Sequence, residues 1–139
     1  MMRKHLSGAV LVACVAALPL VGSTAASADT VTPQATSCPS SGRITDWDVC
    51  TTLTNGILLL SETSDGSSIS VSYTKTGGSS VTGKLAYVRS DTVHSSPTLT
   101  FSTSKIQEYD WSVGASCAST TGELISGSDV FTTPAAPGC

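Results

Sequence analysis

The residues of this chain that could do chemistry are few. His94 is the only histidine beyond the N-terminal leader, and it stands in Asp91-Thr92-Val93-His94-Ser95-Ser96-Pro97. Serine, histidine and aspartate are the types a hydrolase relay uses, but such a relay is defined by oriented hydrogen bonds, and proximity in sequence does not supply them. The G-x-S-x-G pattern that exposes a nucleophilic serine does not occur after residue 28. The segment reads as a loop with a solvated histidine.

Carboxylates form two close pairs. Asp46 and Asp48 flank Trp47, and Glu108 and Asp110 flank Tyr109. On extended backbone each pair points to one side and its aromatic to the other. Two carboxylates at a suitable separation can hydrolyse a glycosidic bond, and a cluster of oxygens can hold Ca²⁺. Neither pair sits in the D-x-[DN]-x-[DN]-G pattern of a calcium loop, so both read first as polar faces.

The segment Cys38-Pro39-Ser40-Ser41-Gly42-Arg43-Ile44-Thr45-Asp46-Trp47-Asp48-Val49-Cys50 is the most informative. If its two cysteines pair, it is a tethered loop carrying Arg and Trp, types enriched at binding hot spots, and tethering lowers the ordering cost of binding. Arg43, Asp46, Trp47 and Asp48 are the candidate contact residues. The loop suits three roles: presenting Arg43-Ile44 to a protease, stacking Trp47 on a sugar with Asp46 and Asp48 accepting hydroxyl hydrogen bonds, or making a general protein contact. The competing reading turns Trp47 and Ile44 inward to cap one end of the fold, since Trp buries most of its area in the average protein.

The elements that position these residues follow from patterning. Met1 to His5 is basic, Leu6 to Val21 is apolar, and Ala26-Ser27-Ala28 supplies small side chains suited to a signal peptidase. Residues 1–28 therefore read as a cleaved signal peptide. The apolar run is about 16 residues, against the roughly 20 that a spanning helix needs. Leu11-Val12-Ala13-Cys14 also fits the pattern that precedes a lipid-modified cysteine; a cysteine acting as a small hydrophobe inside the leader is the favoured reading. Residues 29–37 read as a flexible arm and 38–139 as a single domain.

After the leader, five cations stand against ten carboxylates with no basic cluster, a formal net charge of −5. That argues against nucleic acid and anionic membranes as partners. Cys38, Cys50, Cys117 and Cys139 remain, an even number in a short exported chain, which reads as two disulfides. Of the three pairings, Cys38–Cys50 and Cys117–Cys139 are favoured: the first closes a local loop and the second pins the last residue to the end of a strand. Zinc would need neighbouring histidines or C-x-x-C spacing, so no metal or cofactor is expected.

Ser and Thr make up more than a third of the remaining residues and alternate with apolar ones, as the solvent faces of a sheet would. Ile69, Val71 and Tyr73 alternate with polar residues, as do Leu99 and Phe101. The longest run is Tyr109, Trp111, Val113, Ala115, Cys117, read as core packing. Ile57-Leu58-Leu59-Leu60 resembles a strand buried on both faces. Weaker strand signals cover 49–54, 81–89, 124–125 and 130–133. A three-residue loop Gly77-Gly78-Ser79 predicts a hairpin that pairs Val71 with Leu85 and Ile69 with Tyr87, keeping one face apolar. With turn signals at Asn55-Gly56 and Asp65-Gly66, these features predict an all-β sandwich or barrel of seven to nine short antiparallel strands. The lysine-poor, Ala/Thr/Gly-rich composition suits a bacterial source. The expectation is a small secreted, non-enzymatic binding protein acting on an extracellular protein or polysaccharide. A self-associating coat protein is the alternative, and a small hydrolase the third.

Overall fold

The computed structural model describes residues Ser37–Cys139. The signal-peptide reading of 1–28, and the arm at 29–37 up to its last residue, lie outside the described residues. Two disulfides form, Cys38–Cys50 and Cys117–Cys139. Among the described residues there is no helix, and so none long and apolar enough to cross a membrane.

Nine strands follow in order: β1 Asp48–Leu53, β2 Gly56–Glu62, β3 Ser68–Lys75, β4 Val81–Arg89, β5 Thr92–Ser95, β6 Leu99–Phe101, β7 Ile106–Ser112, β8 Thr120–Ser126 and β9 Asp129–Thr132. They make two antiparallel sheets, one ordered β1-β2-β3-β7 and the other β5-β4-β8-β9, with β6 also on β4. β5 pairs with the second half of β4 and β6 with its first residues. Where the two part, the Ser96 amide donates to the Leu85 carbonyl (2.8 Å) and the Ser96 hydroxyl accepts from the Leu85 amide (3.0 Å), so no backbone group of β4 is left unpaired there.

Period two decides which side chains meet. Val49, Leu58, Leu60, Ile69, Val71 and Tyr73 of the first sheet face Leu85, Tyr87, Phe101 and Leu124 of the second, all of them buried. Each such side chain contributes about 1.5–3 kcal/mol on burial. The two flanks of the sandwich close differently. On one, Thr51 of β1 donates through its hydroxyl to the carbonyl of Thr132, the last residue of β9 (2.9 Å). On the other, aromatics bridge the sheets: Trp111 of β7 meets Tyr87 of β4 edge-on (5.1 Å between ring centres), and His94 of β5 stacks on Tyr87 (4.6 Å).

Four expectations need correction. β3 and β4 do not form a hairpin. They lie in different sheets, and β3 pairs instead with β7, Val71 opposite Tyr109 and Ile69 opposite Trp111. The predicted partners Val71 and Leu85 still both point into the core, from opposite walls. Residues 57–60 are buried on one face only; Leu58 and Leu60 are buried and Ile57 and Leu59 half-exposed, because among the described residues no second layer packs on the outer face of β2 there. The predicted loop around His94 is strand β5, reached by a two-residue turn in which Ser90 and Asp91 both hold positive φ (51° and 61°). The alternation beginning at Tyr109 ends as a strand at Ser112. Val113 is the last residue of the run held to the sheet, through the Ser67 carbonyl, while Ala115 and Cys117 are exposed. Cys139 is therefore pinned to the segment between β7 and β8.

Candidate functional site

The loop between Cys38 and Cys50 is a folded unit. Cys50 is the third residue of β1 and is fully buried, which anchors one end. The chain then doubles back along β1: the Cys50 amide donates to the Gly42 carbonyl (2.7 Å), and Arg43 pairs with Val49. Gly42 makes this possible. It holds φ at +70°, and a Cβ there would lie 2.5 Å from Pro134 Cγ and 2.9 Å from the Cys50 carbonyl oxygen.

Residues 44–48 form the tip, organised by Thr45 and Asp48. The Ile44 and Thr45 amides both donate to the Asp48 carbonyl (2.9 and 3.2 Å). The Thr45 hydroxyl accepts from the amides of Asp48 (2.9 Å) and Trp47 (3.2 Å) and donates to the Asp48 carboxylate (2.6 Å). The other Asp48 oxygen accepts from the Ser61 hydroxyl on β2. The Trp47 carbonyl accepts from the Glu62 amide (3.1 Å), which ties the tip to the sheet. These bonds fix the backbone while three of the four candidate contact residues stay outward. Arg43 and Asp46 are exposed, 3.8 Å apart; such a surface pair adds little stability. Trp47 is 37% exposed, and Ile44 is half-buried. Asp48 differs: one of its carboxylate oxygens is engaged by Thr45 within the loop and the other by Ser61 of β2, so it shapes the tip and ties it to the sheet. Beside the disulfide, a cleft of about 270 Å³ is lined by Pro39–Gly42, Thr51, Thr52 and Pro134.

The remaining candidates do not converge. Asp46 and Asp48 are not on a common extended face, because Asp46 sits in the bend of the tip. Glu108 and Asp110 do share the outer face of β7, where Glu108 accepts from the Ser70 hydroxyl. Among the described residues no serine hydroxyl or carboxylate bonds to His94, and Ser96 spends its hydroxyl on Leu85 and the Pro97 carbonyl. The described residues also contain no group of three His, Cys, Asp or Glu side chains placed to hold a metal ion. Compared with protein-family models, curated proteins and solved structures, the chain matches none.

One polar constellation escaped the sequence reading. Arg89 and Glu62 form a buried ion pair across the two sheets (2.9 Å, side chains 9% and 0% exposed). Arg89 also donates to Thr120 Oγ1 and to the Gly66 carbonyl, 2.9 Å each. The signal was present in the spacing. Leu58, Leu60, Glu62 and Leu85, Tyr87, Arg89 each run at period two, which sends the charged residue inward with its apolar neighbours. The pair lies directly behind the tip, since the Glu62 amide is the one that holds the Trp47 carbonyl.

Proposed function

We propose that this is a small exported, non-enzymatic binding protein that captures an extracellular protein through the loop from Cys38 to Cys50. The observation that carries the reading is the combination of a backbone locked by the disulfide and the Thr45–Asp48 bonds with Arg43 and Trp47 left facing water. Rigid loops bearing Trp and Arg lose little conformational entropy on binding, and these residue types dominate measured hot spots. The adjacent cleft offers room for a partner side chain. The two disulfides suit the oxidising surroundings of a secreted chain. Asp46 gives the loop a second polar contact once a partner separates it from Arg43.

The test is capture from the producing organism's culture medium with the oxidised protein and a Trp47→Ala bait side by side, together with their melting temperatures. The reading predicts a protein captured by the first bait only, with melting temperatures within a few degrees. Capture of a glycan by the same route would change the partner class. Equal capture by both baits, or a melting temperature lowered by more than about 10 °C, would remove Trp47 from the binding surface. A second reading, self-association as a coat protein, rests on β9, where Val130 and Phe131 are both exposed. Concentration-dependent size in solution would support it.

A further inference from the structure

The two sheets have four edges, and three are blunted. β5 and β9 are four residues long and β6 three, while β1 is covered over its first half by Gly42–Ile44 and tied to Thr132 by Thr51. β7 is seven residues long, contains no proline, and ends its sheet.

The register shows what that edge presents. The Val113 amide donates to Ser67 and the Lys105 carbonyl accepts from Lys75, so odd-numbered residues of this strand are the ones hydrogen-bonded to β3. Alternation then turns the N–H and C=O groups of Ile106, Glu108, Asp110 and Ser112 away from β3. Among the described residues, none of these groups has a backbone partner. The edge is also rigid. Tyr109 and Trp111 pack edge-to-face (4.8 Å), and Trp111 packs on buried Tyr87.

We infer that the free edge of β7 is a docking site for an extended polypeptide segment of another protein whose side chains alternate basic and apolar. The outward backbone groups supply a strand-addition ladder. Glu108 and Asp110 project from the outer face and attract cations at every second position of an added strand. The intervening apolar side chains fall on the inner side, next to half-buried Tyr109 and Trp111. A second copy of this chain is a poor occupant. Antiparallel pairing about Tyr109 sets Glu108 of each copy opposite Asp110 of the other, and like charges opposite one another destabilise a strand pair.

The experiment uses the oxidised protein and a seven-residue blocked peptide alternating lysine and valine. Three controls accompany it: the same peptide methylated at the lysine backbone nitrogens, a glutamate–valine peptide, and an Asp110→Pro protein. The Asp110 amide faces away from β3, so proline there removes an edge donor and keeps the sheet. The inference predicts saturable binding of the lysine peptide with amide shifts at Glu108 and Asp110. It also predicts affinity lowered at least ten-fold by methylation or by Asp110→Pro, and no binding of the glutamate peptide. Equal binding of the methylated peptide would reduce the effect to charge attraction and overturn the inference. Absence of binding, shifts that map away from β7, or dimerisation of the protein through β7 would overturn it too.

Discussion

Removing the Glu62 carboxylate should be the most damaging single polar substitution in this fold. In Glu62→Ala the Arg89 guanidinium keeps Thr120 and the Gly66 carbonyl but loses its counter-ion in a place that water scarcely reaches. Two unit charges about 4 Å apart at an effective dielectric of about 20 attract by about 4 kcal/mol. Deleting one partner of a buried pair typically costs about 3–5 kcal/mol, because a charge is left uncompensated. A domain of this size has about 5–15 kcal/mol in total, so the melting temperature should fall by about 15–30 °C. Replacing both partners, Glu62→Leu with Arg89→Met, should cost at least 2 kcal/mol less than the sum of the single changes. Urea unfolding of the four proteins measures this as a double-mutant cycle. A cost for Glu62→Ala below about 1 kcal/mol, or a cycle additive within about 0.5 kcal/mol, would refute the reasoning, since no buried charge would then depend on its partner.

Loss of the Cys38–Cys50 bridge (Cys38→Ala with Cys50→Ala) and of the Cys117–Cys139 bridge should each cost about 3 kcal/mol by urea unfolding, from loop separations of 12 and 22 residues; only the first should weaken partner capture. Gly42→Ala should cost about 2 kcal/mol or more, from its positive φ together with the contact at Pro134, whereas Gly127→Ala, at φ +61° with open space around its Cβ, should cost about 1 kcal/mol. Asp65 is held at a pKa of about 2 by the Ser67 hydroxyl and amide and the Thr63 hydroxyl. A depressed acid stabilises the fold above its unfolded pKa and loses that contribution as pH falls through the folded value. The difference in thermal midpoint between the protein and Asp65→Asn should therefore shrink from pH 4 to pH 2, and a difference constant over that range would remove Asp65 from the turn's stability.

What was legible in the chain was whatever period two and local spacing carry. The strand at Val81–Arg89, the core positions Ile69, Val71 and Tyr73, and the two bridges were readable because alternation and loop closure are local properties. The pairing of β3 was not, because two registers satisfied the same apolar pattern. Val71 can sit beside Leu85 in one sheet or opposite it across a core, and only the arrival of Tyr109 and Trp111, some 40 residues on, decides between them. Strand β5 was missed because its turn, Ser90-Asp91, adopts positive φ without the glycine that signals it. In the candidate loop, residue type alone marks Arg43, Asp46 and Trp47 as contact candidates, and all three stand outward. The task of Asp48 could not be read, because its second partner, Ser61, comes from a neighbouring strand.

The β3–β7 ladder also bears on how quickly the chain reaches this structure. Sheets whose central pairings join distant segments fold on the millisecond-to-second scale, since a long loop must close before any contact rewards it. While β7 is absent, β3 has one bare edge, and the nearest strand able to occupy it is β4, five residues away across Gly77-Gly78. A local hairpin there would match apolar side chains, and hairpins form within about 10 μs, so it would compete with the native order and would have to open before the second sheet could assemble. The acidic pair on β7 then has a counterpart in time: β7 is the last strand in sequence of the β1-β2-β3-β7 sheet, and until it arrives the bare edge is Ile69-Ser70-Val71-Ser72-Tyr73, an uncharged, proline-free stretch of the kind that aggregates.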